Sequence, residues 1–260
     1  MRGLTEEAAA VAIDVATRVL HLPTVRTQAD ELAAAAIRDR LTHRAYLAEL
    51  LASEVETRDA RRRERRIAEA RFPRAKRLAD FDLGATPSIE PATLATLAAG
   101  AWIGAGEPVV LLGDSGTGKT HLLIGLGIAA CERGLRVRYV TAAALVNELV
   151  EAEDERELSK VVARYGRLDL LCLDELGYLH LDRRGAELLF QVLTERDERA
   201  SIAVASNAPF SEWGQTFSDP RLAAAVVDRL TFRAHILETG TSSYRLRTSQ
   251  GKRKEGSPAA

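Results

Sequence analysis

The sequence has few cysteines, few aromatic residues and no long apolar run. Cys131 and Cys172 are the only cysteines in 260 residues, so a disulfide framework is excluded, and no histidine or further cysteine lies near either one to complete a metal site. We interpret both as buried apolar residues. The aromatic content of 5% argues against stacking of bases on rings, but it leaves nucleic-acid binding through phosphates open.

Membrane and secretory signals are also absent from the sequence. No segment approaches the roughly 18 uninterrupted apolar residues that a membrane span requires. The first ten residues, MRGLTEEAAA, have neither the basic leader nor the apolar core of a signal peptide. We therefore expect a soluble, cytoplasmic protein with no membrane partner.

Charge is unevenly distributed, although 36 basic and 37 acidic residues nearly cancel. Ten basic and only three acidic side chains lie between Arg58 and Arg77, a local net charge of +7. This asymmetry favours a polyanionic partner such as nucleic acid. The alternative is a solvated helix whose arginines pair with glutamates three or four positions away.

Apolar spacing divides the chain into a helical part and an α/β part. Residues 1–71 have the three- and four-residue apolar period of helices, with Pro23 as an interruption and Thr24, Thr27 or Asp30 as candidate caps. Residues 72–91 contain three prolines and no sustained period, so we interpret them as an ordered connector. Residues 92–247 form the predicted α/β domain, and the polar residues 248–260 a disordered tail.

Short apolar runs that alternate with amphipathic segments predict a parallel sheet covered by helices. The five predicted strands are residues 109–112, 136–140, 168–173, 201–205 and 234–237. The helices between them are predicted at 119–131, 142–151, 185–198 and 221–230. Gly134 and Thr141 suit helix-terminal positions. The fold class is therefore α/β with a five-stranded parallel sheet, preceded by a small helical domain.

The strongest motif is a glycine-rich loop between a strand and a helix. Residues 108–120 read PVVLLGDSGTGKT, which matches G-x-x-x-x-G-K-[ST] in the context that this motif requires. Its N–H groups and the helix N-terminus point at phosphate oxygens. We expect Lys119 to meet the β- and γ-phosphates and Thr120 to ligate Mg²⁺. A chance glycine-rich turn is the weaker alternative.

A later strand ends in two adjacent carboxylates, as a Walker B site requires. In LDLLCLDE, residues 168–175, Asp174 is expected to hold Mg²⁺ and Glu175 to orient and deprotonate the attacking water. The alternative is an ordinary strand with two solvated acids at its end. We interpret Asp169, at the start of the run, as structural.

Asn207 follows the predicted strand 201–205. In a parallel sheet its position would lie beside the other two motifs, where ligands bind. Asn207 is therefore a candidate contact for the γ-phosphate or the lytic water. The alternative is a turn-forming asparagine before Ala-Pro.

Several segments together carry a resemblance to a known family: GDSGTGKTH, LDLLCLDELGYL, GAELLFQVL, ASNAPFSEWGQTF, DPRLAAAVVDRL, SYRLR and the connector stretch ARRRERRIAEARFPRAKRLADFDL. Over roughly residues 17–247 the sequence resembles the IstB-type transposition helper ATPases of bacterial insertion sequences, which are AAA+ proteins related to replicative helicase loaders. One departure is Asp114-Ser115, where such proteins often have Pro-Pro. These are variable loop positions, so nucleotide binding is still expected.

The resemblance implies further site residues. AAA+ proteins place an arginine of a neighbouring subunit at the γ-phosphate; Arg229 matches best and Arg221 is second, the alternative being two surface arginines on a helix. Phe81 either covers the adenine or anchors the connector. The implied nucleotide-binding residues, besides Phe81, are Gly113, Asp114, Ser115, Gly116, Thr117, Gly118, Lys119, Thr120 and His121.

The function implied by the resemblance is that of an ATP- and Mg²⁺-dependent helper of transposition. It would form a homo-oligomer on duplex DNA, select or remodel the target, and stimulate its cognate transposase. The candidate DNA contacts are Arg61, Arg62, Arg63, Arg65 and Arg66. A helicase loader and a nucleotide-binding regulator without hydrolysis are the alternatives, and Glu175 weighs against the second.

Overall fold

The computed structural model describes residues 5–178, 180–241 and 243–244, so the predicted disordered tail, residues 248–260, lies outside the described residues. The chain divides into two compact units after Arg65. This division falls inside a helix, whereas the sequence placed the boundary after residue 71. The physical reason is that Ile67 and Ala70, in the last turns of that helix, belong to the core of the second unit.

The first unit is helical, as predicted. It contains α1 (Glu6–Val19), α2 (Pro23–Arg38) and most of α3 (His43–Ala70). Its core is small, with Val25, Ala29 and Leu50 buried.

The N-terminus of α2 is capped from a distance rather than by a local side chain. The residue before Pro23 is Leu22, which has no side-chain oxygen, so the prediction that Thr24, Thr27 or Asp30 caps this helix is wrong. Glu54 of α3 accepts hydrogen bonds from the backbone N–H groups of Thr24 at 2.7 Å and Val25 at 3.1 Å. A buried carboxylate thus satisfies the free N–H groups of the helix end.

The second unit is built on five parallel strands in the order β2-β3-β4-β1-β5. The strands are β1 (Val109–Leu112), β2 (Val137–Thr141), β3 (Leu170–Asp174), β4 (Ser201–Ser206) and β5 (His235–Glu238). The helices are α4 (Pro91–Ala99), α5 (Ala101–Gly104), α6 (Lys119–Glu132), α7 (Ala142–Asp154), α8 (Leu158–Gly166), α9 (Arg183–Arg196), α10 (Trp213–Phe217) and α11 (Pro220–Thr231). Short 3₁₀ turns cover Leu78–Asp80, Leu83–Ala85, Leu176–Tyr178 and Phe210–Glu212.

Alternating strand residues supply two separate cores, one on each face of the sheet. Val110, Leu171 and Val204 belong to the core that α7, α9 and α11 cover. The intervening positions, among them Leu111 and Cys172, pack with α4 and α6. Because both faces are covered, the central strands β1, β3 and β4 are buried throughout and largely apolar, which is the pattern that identified them in the sequence. The predicted α/β fold with a five-stranded parallel sheet is confirmed.

Three local predictions are also confirmed by the second unit. Thr141 caps α7 by accepting from the N–H of Ala144, and Gly134 takes a left-handed conformation after α6. Both cysteines are buried, and burial raises the pKa of the Cys131 thiol to about 12. Among the described residues, no helix combines the length and the apolar character that a bilayer crossing needs.

Candidate nucleotide site

A cleft of about 730 Å³ lies at the carboxyl edge of the sheet. Its volume is within the roughly 300–1,000 Å³ typical of small-molecule sites. The start of α6, the ends of β2 and β3, and the connector before α4 supply its walls. The predicted site residues that line it are Phe81, Gly116, Thr117, Gly118, Lys119, Thr120, His121, Asp174 and Glu175. Sequence motifs far apart in the chain therefore meet in one cleft.

The glycine-rich loop wraps around the amino group of Lys119. This largely buried side chain donates from Nζ to the carbonyl oxygens of Gly113 at 2.6 Å and Asp114 at 2.7 Å. Gly118, just before α6, has φ +103°, and a Cβ there would lie 2.8 Å from a ring carbon of Phe81. Among the described residues no side chain caps α6, and its first residues line the cleft, as expected of an anion-binding helix end. The loop therefore fits the phosphates of a nucleotide.

Residues after β5 fasten this loop from behind, which the sequence did not predict. Thr239 donates from its N–H to the carbonyl of Leu112 at 2.7 Å, and its hydroxyl lies 2.5 Å from that of Thr117. The N–H of Asp114 donates to Gly240 at 3.1 Å. Gly113 is required here, because a Cβ on it would lie 2.3 Å from Thr239 Oγ1. The end of β5 thus fixes the shape of the phosphate loop.

Two carboxylates stand at the end of β3, in different environments. Asp174 is buried; its Oδ2 accepts from the hydroxyl of Tyr139 at 2.7 Å, and its Oδ1 accepts from the N–H of Glu175 at 2.9 Å. Burial, together with the charge of Asp174, raises the pKa of Tyr139 well above its usual range, so this hydroxyl stays protonated as a donor.

Glu175 is exposed and has φ +62°, a left-handed conformation that costs a residue with a side chain about 1–3 kcal/mol. The chain turns sharply after β3, with the N–H of Tyr178 bonded to the carbonyl of Glu175. This strained turn leaves the Asp174 carboxylate buried and the Glu175 carboxylate exposed to solvent. The arrangement suits a metal ligand followed by a general base.

The connector forms one wall of the cleft. His121 donates from Nε2 to the carbonyl oxygen of Arg77 at 2.8 Å, because a carbonyl can only accept, and its ring meets that of Phe81 edge-on at 5.3 Å. Arg74 and Lys76 also line the cleft. Sequence reasoning assigned both to the basic run, so two cations beside the phosphate loop were missed as site residues.

Asn207 lies beside the cleft rather than in its lining. It follows β4, and its Oδ1 would be 2.5 Å from a Cβ on Gly177, in the turn after Glu175. This oxygen is buried and has no hydrogen-bond partner among the described residues. A buried polar atom of this kind calls for a donor such as water.

Arg229 is at the opposite edge of the sheet from the phosphate loop of the same chain. It lines a small cavity together with Pro108 and Ala200, which precede β1 and β4, whereas the loop follows β1. Its Nε donates to Asp197 at 3.0 Å, and its guanidinium lies 4.3 Å from the ring centre of Phe190. The structure does not bring Arg229 to its own nucleotide cleft.

The family of IstB-like ATP-binding proteins matches residues 15–252 of this chain, nearly its whole length. The chain belongs to the IstB-like ATP-binding protein family. An insertion sequence ATP-binding protein of Sinorhizobium fredii is 37% identical over 93% of this chain and 82% of its own length. The IS21 ATP-binding protein of Pseudomonas aeruginosa is 36% identical over 94% and 91%, respectively. The resemblance read from the motifs is confirmed.

Solved structures share the α/β fold of this IstB-like chain. AMPPCP-bound DnaA from Aquifex aeolicus superposes with a TM-score of 0.55 at 23% identity, over 72% of this chain and 57% of DnaA. DnaI gives a TM-score of 0.52 at 19% identity, over 69% of this chain and 98% of DnaI. The IstB-like chain thus spans little more than half of DnaA, and at these identities the likeness concerns the fold alone.

The arginines predicted to contact DNA are not equivalent in the IstB-like structure. Arg61, Arg62, Arg63 and Arg65 are exposed on α3. Arg66 is partly buried, pairs with Glu69 at 3.1 Å, and its backbone carbonyl accepts from the Cys131 thiol. Arg66 is therefore built into the second unit, and the four exposed arginines are the better candidates.

Proposed function

We propose that this protein is an ATPase that assembles on duplex DNA and assists its cognate transposase in the transposition of an insertion sequence. The observation that carries the proposal is the meeting of Lys119, Asp174 and Glu175 in one cleft of an IstB-like chain. The family supports ATP as the ligand. Hydrolysis, DNA binding, self-assembly and the transposase partnership are the proposed parts, with the cytoplasm as the place of action.

Three residues and the start of α6 have proposed roles at the triphosphate. Lys119 neutralises the β- and γ-phosphates when it leaves the loop carbonyls, and the N–H groups at the start of α6 bind their oxygens. Glu175 accepts a proton from the attacking water. Asn207 orients this water or the γ-phosphate. Its Oδ1 supports this role, because it lies beside the turn after Glu175 and has no hydrogen-bond partner in the described ranges.

The residues present fit Mg²⁺. Thr120 and Asp174 line the same cleft and offer oxygen atoms, the ligands that this ion prefers. Few protein ligands are needed, because Mg²⁺ in nucleotide sites is also held by phosphates and waters. When bound, the ion neutralises the charge that develops on the phosphate oxygens. Thr120 and Asp174 would hold it.

Arg229 is proposed to act on the nucleotide of a neighbouring subunit. Its place at the far edge of the sheet excludes its own cleft but suits an interface between copies. In the single chain, Asp197 and Phe190 contact the guanidinium group of Arg229. We propose that this group turns to the γ-phosphate of the neighbouring subunit when two copies assemble. A single chain would then bind ATP but hydrolyse it slowly, because transition-state charge on the γ-phosphate would lack its arginine.

The test is ATP turnover with and without duplex DNA. We expect duplex DNA to stimulate phosphate release by the parent protein, and Glu175→Gln to lower turnover by about 10²–10⁴-fold while nucleotide affinity is kept. The matched control is Glu187→Gln, an exposed glutamate on α9. ATP turnover by Glu175→Gln at the parent rate would contradict the proposed role of Glu175 as the general base.

The partner is tested separately by pull-down. Full-length protein with a non-hydrolysable ATP analogue and duplex DNA is offered the transposase encoded beside it and, in a parallel reaction, the replicative helicase. Selective retention of the transposase is the expected result. Selective retention of the helicase would contradict the transposase partnership and would favour a helicase loader.

A further inference from the structure

Tyr139 contacts the Walker B carboxylate from the neighbouring strand. Parallel pairing of β2 with β3 sets Tyr139 opposite Cys172 and Thr141 opposite Asp174. The Tyr139 side chain extends along the strands toward the carboxyl edge, where its hydroxyl donates to Asp174 Oδ2 at 2.7 Å. Both residues line the nucleotide cleft. The hydroxyl therefore belongs to the site and not to the interior of the sheet.

Within the described part of the chain, each of the two oxygens of Asp174 accepts from one donor. Tyr139 holds Oδ2, and the N–H of Glu175 holds Oδ1 at 2.9 Å. An ionised carboxylate has about four lone-pair sites, so both oxygens can still accept further bonds. The two donors fix the rotation of the carboxylate plane, and they do so with Asp174 only 3% exposed.

The ring of Tyr139 is itself held in place by the connector. Phe72 packs against it with ring centres 6.1 Å apart and an angle of 56° between the planes. Phe72 also fills the space over Gly127 of α6. Packing thus fixes the ring of Tyr139, and its hydroxyl donates to Asp174. Residues that orient metal ligands have this kind of geometry.

We propose that Tyr139 is a positioning residue that orients Asp174 for the divalent cation of the bound nucleotide. This inference rests on the proposed function, because it assumes that the cleft binds a metal–nucleotide complex. Removal of the hydroxyl leaves Asp174 with a single fixed oxygen. The cation should then bind more weakly, while phosphate binding by the loop stays as it was.

The test uses Tyr139→Phe in the full chain, with Mn²⁺ as the probe and ADP as the nucleotide. Free Mn²⁺ is measured by electron paramagnetic resonance. We expect the affinity for Mn²⁺ in the presence of ADP to fall about tenfold, as is typical when the partner of a metal ligand is lost. ADP affinity in EDTA should stay at the parent value. The melting temperature should fall no more than that of Tyr165→Phe, which also loses a tyrosine-to-carboxylate bond, since the Tyr139 ring still packs against Phe72.

Tyr165→Phe is the matched control. Tyr165 is a buried tyrosine of the same unit whose hydroxyl also donates to a carboxylate, that of Glu148, away from the cleft. Its Mn²⁺ affinity should equal that of the parent. A second readout is the Mg²⁺ concentration that half-saturates ATP turnover, which should rise for Tyr139→Phe and not for Tyr165→Phe.

Three outcomes would overturn the inference. If Tyr139→Phe binds Mn²⁺ as the parent does, the hydroxyl does not position Asp174. If the ADP affinity of Tyr139→Phe in EDTA and its melting temperature both fall well below those of Tyr165→Phe, the role of Tyr139 is general packing. If the parent itself does not bind ADP in a Lys119-dependent way, the proposed function fails and the inference fails with it, a result distinct from the first two.

Discussion

At the scale of single residues, the open question is whether Phe81 of the connector contacts the adenine base of the nucleotide. It packs over Gly118 and His121 and lines the cleft, a position that suits both an adenine cover and an anchor for the connector. We propose the adenine cover, because the ring reaches the cleft instead of being enclosed in the core. The two roles differ in what they do to ligands that lack a base.

We predict that Phe81→Ala lowers ATP affinity roughly tenfold, the usual loss when a base loses an aromatic partner. Affinity for inorganic tripolyphosphate should change less than about twofold, since the loop N–H groups bind phosphate in either case. Isothermal titration of both ligands checks this. Phe232→Ala, an exposed ring elsewhere, is the control. Equal losses for the two ligands would favour the anchor.

At the scale of elements, the first unit depends on one buried carboxylate. Burial opposes ionisation of Glu54, but hydrogen bonds from Arg58 and from the N–H groups of Val25 and Thr24 outweigh it, so its pKa lies below the ordinary 4.5. A lowered pKa means that the ionised carboxylate stabilises the folded unit above about pH 4.5. That stabilisation is lost as the pH falls through the folded-state pKa.

We predict that Glu54→Gln destabilises the first unit at pH 7 by about 1–3 kcal/mol, because a buried charged acceptor at two N–H groups is lost. The difference from the parent should shrink as the pH falls from about 6 to about 3. Hydrogen exchange of α2 at a series of pH values measures it. Glu56→Gln, an exposed neighbour, should match the parent throughout. A pH-independent difference would contradict the assignment.

The central strands β1, β3 and β4 and the motifs at their ends were predictable because burial on both faces makes these strands largely apolar. Each predicted strand lies within two residues of the observed one. Helix α8 (Leu158–Gly166) was missed because it is short and directly follows the acidic stretch. Helix α4 (Pro91–Ala99) is not predicted by the sequence, because Pro91, its first residue, closes a proline-containing stretch that is typical of a connector.

Contacts across the sheet were beyond sequence reasoning. The sequence predicts Tyr139 only as a strand residue, because the register of β2 against β3 is what brings its hydroxyl to Asp174. Thr239 likewise depends on the position of β5 beside β1. The sequence shows Arg74 and Lys76 only as part of a basic run, because spacing along the chain does not reveal which basic side chains line a cleft.

At the scale of the whole molecule, hydrolysis is expected to need two copies. We predict that Lys119→Ala and Arg229→Ala are each inactive alone, and that their mixture recovers part of the parent ATP turnover. In the mixture, an intact Arg229 on one chain meets an intact loop on another. Arg199→Ala, which removes an exposed arginine outside the cleft lining, should keep the parent turnover by itself and is the control for altered surface charge. No recovery in the mixture would contradict action between subunits, and Arg221 would then be tested in the same way.

Binding to duplex DNA should depend on the exposed arginines of α3. Neutralising Arg61, Arg62, Arg63 and Arg65 should flatten the plot of log affinity against log salt by roughly 0.9 for each arginine that contacts a phosphate. A charge-matched variant that neutralises Arg18, Arg38, Arg183 and Arg199, all exposed, should keep the parent slope. Equal slopes for the parent and the α3 variant would discard the assignment.

The central claim is that the loop around Lys119 binds a nucleoside triphosphate. The most direct measurement is equilibrium binding of a labelled non-hydrolysable ATP analogue to the parent, to Lys119→Ala and to Lys160→Ala, an exposed lysine on α8. We predict a loss of about 10- to 100-fold for Lys119→Ala, the cost of a charged hydrogen bond to phosphate, and none for Lys160→Ala. Undiminished binding by Lys119→Ala would contradict the claim.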